Sequence, residues 1–161
     1  MSDPFSTAAQ TIILSDIHLT EAEPPHPRNP LWKRYKRRSH FVDPQFQLFI
    51  RHVLARADGP VELILNGDIF DFDSVMRLPS REQLPDLRIN WLERIRGLGS
   101  EERKSLFKID VILEDHPVFR EAMREFLMAS PGNRFVMVLG NHDVELHWPS
   151  VRERIVESFD L

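Results

Sequence analysis

Three short clusters in this chain combine residue types that bind metal ions: Ser15-Asp16-Ile17-His18, Asn66-Gly67-Asp68-Ile69-Phe70-Asp71 and Gly140-Asn141-His142-Asp143. Carboxylate, imidazole and amide donors in such a mixture suit manganese, iron or zinc better than copper(I). In an extended chain successive side chains alternate, so Asp16 and His18 point to one side and offer an oxygen and a nitrogen to a single ion. Asp68 follows Gly67, where the backbone can turn sharply, and the two oxygens of its carboxylate could bridge two cations. Asn141 adds a neutral oxygen ligand without further negative charge. His142 then sits beside the ions, free to give a proton or a hydrogen bond to a leaving oxygen.

These clusters need elements that bring them together. Each follows a short apolar run: Thr11 to Leu14, Val61 to Leu65 and Phe135 to Leu139. Runs of this length, rich in Ile, Val and Leu, predict strands buried on both faces of a parallel sheet. Between the first two, Asp43 as N-cap and Pro44 at the first helical position open a helix carrying Phe46, Phe49, Ile50, Val53, Leu54 and Ala57, which Asp58-Gly59-Pro60 stops. A second helix starts near Pro117, buries Val118, Phe119, Ala122, Met123, Phe126 and Leu127, and ends at Ser130-Pro131-Gly132. The alternation of strand and helix predicts an α/β fold with crossover connections. In such sheets, sites form outside the carboxyl ends of the strands, so the three clusters should share one crevice.

Residues 74–115 are long for a connection, and Ile89, Leu92 and Ile95, then Leu106, Ile109 and Leu113, predict two helices in an inserted cap. Beyond the third strand, Ser150 should cap a last helix that buries Val151, Ile155, Val156 and Phe159. No repeat or second domain boundary is visible, and 161 residues suit a single domain.

Composition removes several chemistries. The chain has no cysteine, so a disulfide framework, a thiol nucleophile, a thiolate zinc site and an iron–sulfur cluster are all excluded. No apolar stretch approaches the roughly 20 residues that span a bilayer. Met1 to Gln10 lacks the basic-then-apolar order of a secretory signal, and the expectation is a soluble, cytoplasmic protein. The net charge of -4 hides an asymmetry: Arg28, Lys33, Arg34, Lys36, Arg37 and Arg38 form a basic arm with no acidic residue, leaving the body strongly acidic. An acidic body concentrates cations, whereas the arm, read first as a solvated loop, has the charge to meet an anionic substrate, a membrane headgroup or nucleic acid.

The ordered set Asp16-x-His18, Gly67-Asp68-x-x-Asp71 and Gly140-Asn141-His142-Asp143 resembles the calcineurin-like metallophosphoesterase superfamily. The resemblance implies a four-layered αββα sandwich that hydrolyses phosphate esters at a site of two divalent ions, manganese foremost, with iron or zinc as alternatives. It implies that Asp16 and His18 hold the first ion, Asp68 bridges and Asn141 holds the second. His142 would stabilise the transition state or protonate the leaving group, with Asp71 orienting it and Asp143 helping from behind. The implied reaction is in-line attack of metal-bound hydroxide on phosphorus, without a covalent intermediate.

The match covers only the first part of the superfamily pattern, because members complete their sites with a later lone histidine and a Gly-His-x-His motif. The only histidine after His142 is His147, which lacks that context. The second ion would keep only Asp68 and Asn141. The chain therefore reads as the N-terminal half of a metallophosphoesterase, truncated at its C-terminus and missing a partner sheet. Ser15 to Leu19 with Gly67 to Phe72 is similar to bacterial UDP-diacylglucosamine pyrophosphohydrolase-like members, and DNA-repair nucleases of the superfamily use similar strings. Phe72 and Asp73 stand where Ser/Thr protein phosphatases carry arginine and glycine. The rival expectation is a catalytically inactive binding module on the same fold.

Overall fold

The computed structural model describes residues 7–21 and 42–160. The basic arm at 28–38, with His26 and His40, lies outside these residues. The described part is a mixed α/β fold with a three-stranded parallel sheet in the order β1-β2-β3: β1 is Gln10–Leu14, β2 is Val61–Asn66 and β3 is Arg134–Val138. Among the described residues there are five α-helices: α1 (Asp43–Leu54), α2 (Trp91–Arg96), α3 (Glu102–Asp115), α4 (Pro117–Ala129) and α5 (Pro149–Glu157). No helix among them is long and apolar enough to cross a membrane.

The register runs from Gln10 opposite Val61 to Leu14 opposite Leu65, and from Glu62 opposite Arg134 to Asn66 opposite Val138. Parallel neighbours need a crossover, which α1 makes between β1 and β2, and the helices up to α4 make between β2 and β3. Apolar residues at helical spacing on α1 (Phe46, Ile50, Val53) and on α4 (Phe119, Ala122, Met123, Phe126) bury one side of each helix together with Leu63 and Leu65 of β2. The Phe46 and Phe119 rings meet with centroids 4.9 Å apart. Burying a large apolar side chain of this kind contributes about 1.5–3 kcal/mol, so this shared core fixes where the ends of the strands lie.

The sheet is not buried on both faces, as its apolar runs predict. Alternate residues Ile12, Leu14, Leu63, Leu65, Phe135 and Met137 face the helical core, whereas among the described residues the opposite face is bare. There Ile13 is 62% exposed, Val136 39% and Val138 41%. Polar residues on the same face bind across the strands: Glu62 accepts from the Thr11 hydroxyl at 3.1 Å and from Nε of Arg134 at 2.7 Å. Apolarity on both sides of a strand states that both sides require cover, and the described helices supply it to one.

Other boundaries also differ from expectation. Asp43 is the first residue of α1 rather than its cap, which is Val42. The Asp43 carboxylate instead pairs with Nδ1 of His116 at 2.7 Å, and His116 Nε2 donates to the carbonyl of Thr20 at 2.6 Å. His116, the cap residue between α3 and α4, is therefore buried in a polar network. Helix α5 starts at Pro149 with Trp148 as cap residue, the Ser150 hydroxyl binds Glu102, and Val156 is exposed. The stretch 74–115 does hold two helices, but Leu92 and Ile95 of α2 are exposed, while Ile109 and Ile112 of α3 belong to the main core. Helix α3 is thus part of the body and not a detached cap.

Helix α2 is short and is held by polar contacts. Asn90 accepts from the backbone of Glu93 at 2.9 Å, and the Glu93 carboxylate accepts from Asn90 N at 3.0 Å, closing a capping box. Glu93 also takes a hydrogen bond from the ammonium of Lys104 on α3, which tethers the two helices. That bond holds the Glu93 carboxyl below its ordinary value of 4.5, against the opposing effect of burial, and Lys104 lowers Glu101 likewise. With a depressed folded value, the unfolded chain takes up protons first as the pH falls below 4.5. The stabilisation is therefore full above that point and is lost toward acid. Urea denaturation at stepped pH is expected to show stability declining below that point, with a smaller decline in Lys104→Met.

Candidate metal centre

The three clusters meet, and the backbone that brings them together is strained. Asp16 (φ 56°), His18 (φ 53°) and Asp68 (φ 53°) all adopt the left-handed conformation, as does Gly67 (φ 77°). For a residue with a side chain this costs about 1–2 kcal/mol. Strain of this kind collects where a fold holds functional groups in place. It also replaces the expected alternation. The chain does not run straight past β1; it turns at Asp16 and His18, buries Ile17 between them and still leaves His18 Nε2 only 3.9 Å from Asp16 Oδ1.

Backbone hydrogen bonds lace the first two loops together. Asp16 N donates to the Gly67 carbonyl at 3.2 Å, His18 N to Asp68 at 2.9 Å, Leu19 N to Ile69 at 2.8 Å, and Asp71 N back to Leu19 at 2.8 Å. The third loop closes on them through Gly140, where any Cβ would collide with the carboxylate and backbone nitrogen of Asp68. His142 N donates to Asp68 Oδ1 at 2.9 Å, and Phe72 N donates to the His142 carbonyl at 3.2 Å. Asp143 is fully buried; its carboxylate accepts from Ile69 N at 2.8 Å and from Gly140 N at 2.6 Å. It therefore acts as a strut between the second and third loops.

The side chains form two groups. Asp16, His18 and Asp68 place one ligand atom each within 4.8 Å of one another, and His18, Asp71 and His142 do the same. Asp71 is buried; its Oδ2 accepts from the Ser74 hydroxyl at 2.7 Å, while Oδ1 lies 3.5 Å from His142 Nδ1. Asn141 is exposed between Gly140 and His142, the two residues whose backbones contact the Asp68 loop. His147 does not join; its Nδ1 bonds the Val144 carbonyl and its ring packs at a tilt against Trp148, with centroids 4.2 Å apart. Asp73 faces solvent.

No family model, no curated protein and no solved structure matches this chain.

Sequence reasoning missed the supports of the site. The Thr20 hydroxyl donates to the Asp71 carbonyl at 3.0 Å. Lys108 of α3 reaches Glu145, two residues beyond Asp143, at 2.6 Å with both side chains buried, and its ammonium lies 5.5 Å from the centre of the Phe72 ring. One signal was present: Lys108 falls on the stripe of α3 that carries Ser105, Ile109 and Ile112, and a charge there requires a partner.

The donors fit a divalent cation. Two carboxylates and an imidazole at Asp16, His18 and Asp68 make an oxygen-rich set suited to a hard or borderline ion. Their loops are held by backbone hydrogen bonds, so little rearrangement is needed to bind one.

Proposed function

We propose that this chain carries the metal centre of a metal-dependent phosphoesterase similar to the calcineurin-like superfamily, acting on phosphate esters. The observation that supports it is the convergence of the ends of β1 and β2, which gathers ligand atoms of Asp16, His18 and Asp68 on strained backbone within 4.8 Å of one another, with His142 brought beside His18 from the end of β3. Those residues would hold a divalent cation, manganese first and iron or zinc as alternatives, with Asn141 and Asp68 available to a second. A bound cation supplies positive charge against the phosphate oxygens and makes water a better nucleophile at neutral pH. His142 holds a proton for the leaving oxygen, and Asp71, anchored by Ser74, keeps the imidazole aimed at it. The bare apolar face of the sheet favours the four-layered architecture, in which a second sheet covers Ile13, Val136 and Val138.

The test is hydrolysis of a chromogenic phosphodiester and a phosphomonoester with manganese. Asp68→Ala is expected to lower turnover at least roughly 100-fold, on the scale of losing a principal transition-state contact. A second reading rests on the scarcity of donors for a second ion, which favours a binding module that keeps the fold without catalysis. Tight binding of one manganese ion with no turnover of either substrate would favour that module and sink the phosphoesterase.

A further inference from the structure

The two donor groups share His18 but differ in chemistry. Asp16, His18 and Asp68 offer two carboxylates and one imidazole; His18, Asp71 and His142 offer two imidazoles and one carboxylate. The second set faces inward. Asp71 is fully buried and its orientation is fixed by Ser74. His142 Nδ1 is buried and makes no hydrogen bond among the described residues. Its 3.5 Å separation from Asp71 Oδ1 exceeds an ordinary N–H···O bond. Two ligands each about 2.1 Å from one tetrahedral ion, however, stand about 3.4 Å apart. The His18 and His142 rings meet edge to face with centroids 5.0 Å apart, close enough for one ion to draw both in.

We propose that His18, Asp71 and His142 form an alternative, zinc-selecting site that competes with the oxygen-rich site for His18. Two nitrogens and one oxygen, of which Asp71 and His142 already stand near tetrahedral spacing, suit zinc, whereas manganese prefers the carboxylate pair of Asp16 and Asp68. A neutral imidazole has one lone pair to give, so His18 serves one ion at a time. Zinc in the inner set therefore withdraws a ligand from the outer set, and manganese there disfavours zinc in turn. The consequence for turnover rests on the phosphoesterase reading: zinc takes His18 from the outer ion and Asp71 from the imidazole of His142, which that reading needs aimed at the leaving oxygen, and inhibits.

Binding itself is tested without turnover, by calorimetric titration of the whole chain with zinc and with manganese and by the d–d absorption of cobalt(II) as a tetrahedral probe. His142→Ala is expected to weaken zinc at least roughly tenfold, since losing a ligand exceeds the loss of an outer hydrogen-bond partner, and to abolish the tetrahedral cobalt band, with manganese affinity unchanged. Asp68→Asn is expected to do the reverse, and added zinc to displace manganese from the unaltered chain. Zinc affinity unchanged in His142→Ala, no zinc binding at all, or one substitution weakening both metals equally would overturn the proposal. Circular dichroism checks the fold of each variant, and His142→Gln replaces His142→Ala should the latter unfold. The zinc pattern without manganese-dependent hydrolysis would sink the phosphoesterase reading alone; hydrolysis without the zinc pattern would sink this one alone.

Discussion

Replacing Lys108 with methionine is expected to lower stability by about 3–5 kcal/mol, the cost of removing one partner from a buried ion pair. Glu145 would be left as a buried carboxylate without its cation, because the two side chains are 1% and 3% exposed. At the size of this chain each kcal/mol moves the melting temperature by about 2–4 °C, so the loss is plain in a thermal scan. The double variant Lys108→Met/Glu145→Leu should recover most of it, since apolar substitutes of similar volume often replace a buried pair at little or no cost. A Lys108→Met protein that melts with the parent would show that the pair does not hold α3 to the third loop. Because Glu145 lies just beyond Asp143, the single variant is also expected to weaken manganese binding.

The second large effect is expected from Gly140→Ala. The added methyl must displace Asp68, whose carboxylate and backbone nitrogen occupy its space and whose backbone is already left-handed. Overpacking of this kind costs about 1–3 kcal/mol. The more specific readout is manganese affinity, expected to fall at least roughly tenfold, as when a ligand's orientation is disturbed. An alanine variant that keeps full affinity would mean that Asp68 is not held where Gly140 and His142 place it.

The strands and the clusters at their ends were legible in the sequence because an apolar run followed at once by carboxylate, imidazole and glycine has few other uses. The way Asp16 and His18 converge was not. A spacing of two is compatible with an extended chain and with two left-handed residues, and what decides between them is the bonding of Asp16 and His18 to Gly67 and Asp68, a third of the chain away. The supports were hidden for the same reason: Lys108 and Glu145 are 37 residues apart, and Asp43 and His116 are 73 apart. A single helix pattern shows that Lys108 needs a partner but not which one. The bare sheet face was illegible in another sense, since the apolar runs call for cover without naming what provides it.

The sheet has a kinetic corollary. Its two pairings join residues far apart along the chain, Thr11 with Glu62 across 51 positions and Glu62 with Arg134 across 72. Closing such loops costs entropy before any contact rewards it. The loops that carry Asp16, Asp68 and His142 are all in place only once both closures are made, so the complete candidate site forms late. An ion held there would act by holding the finished fold shut, slowing its opening rather than hastening its assembly.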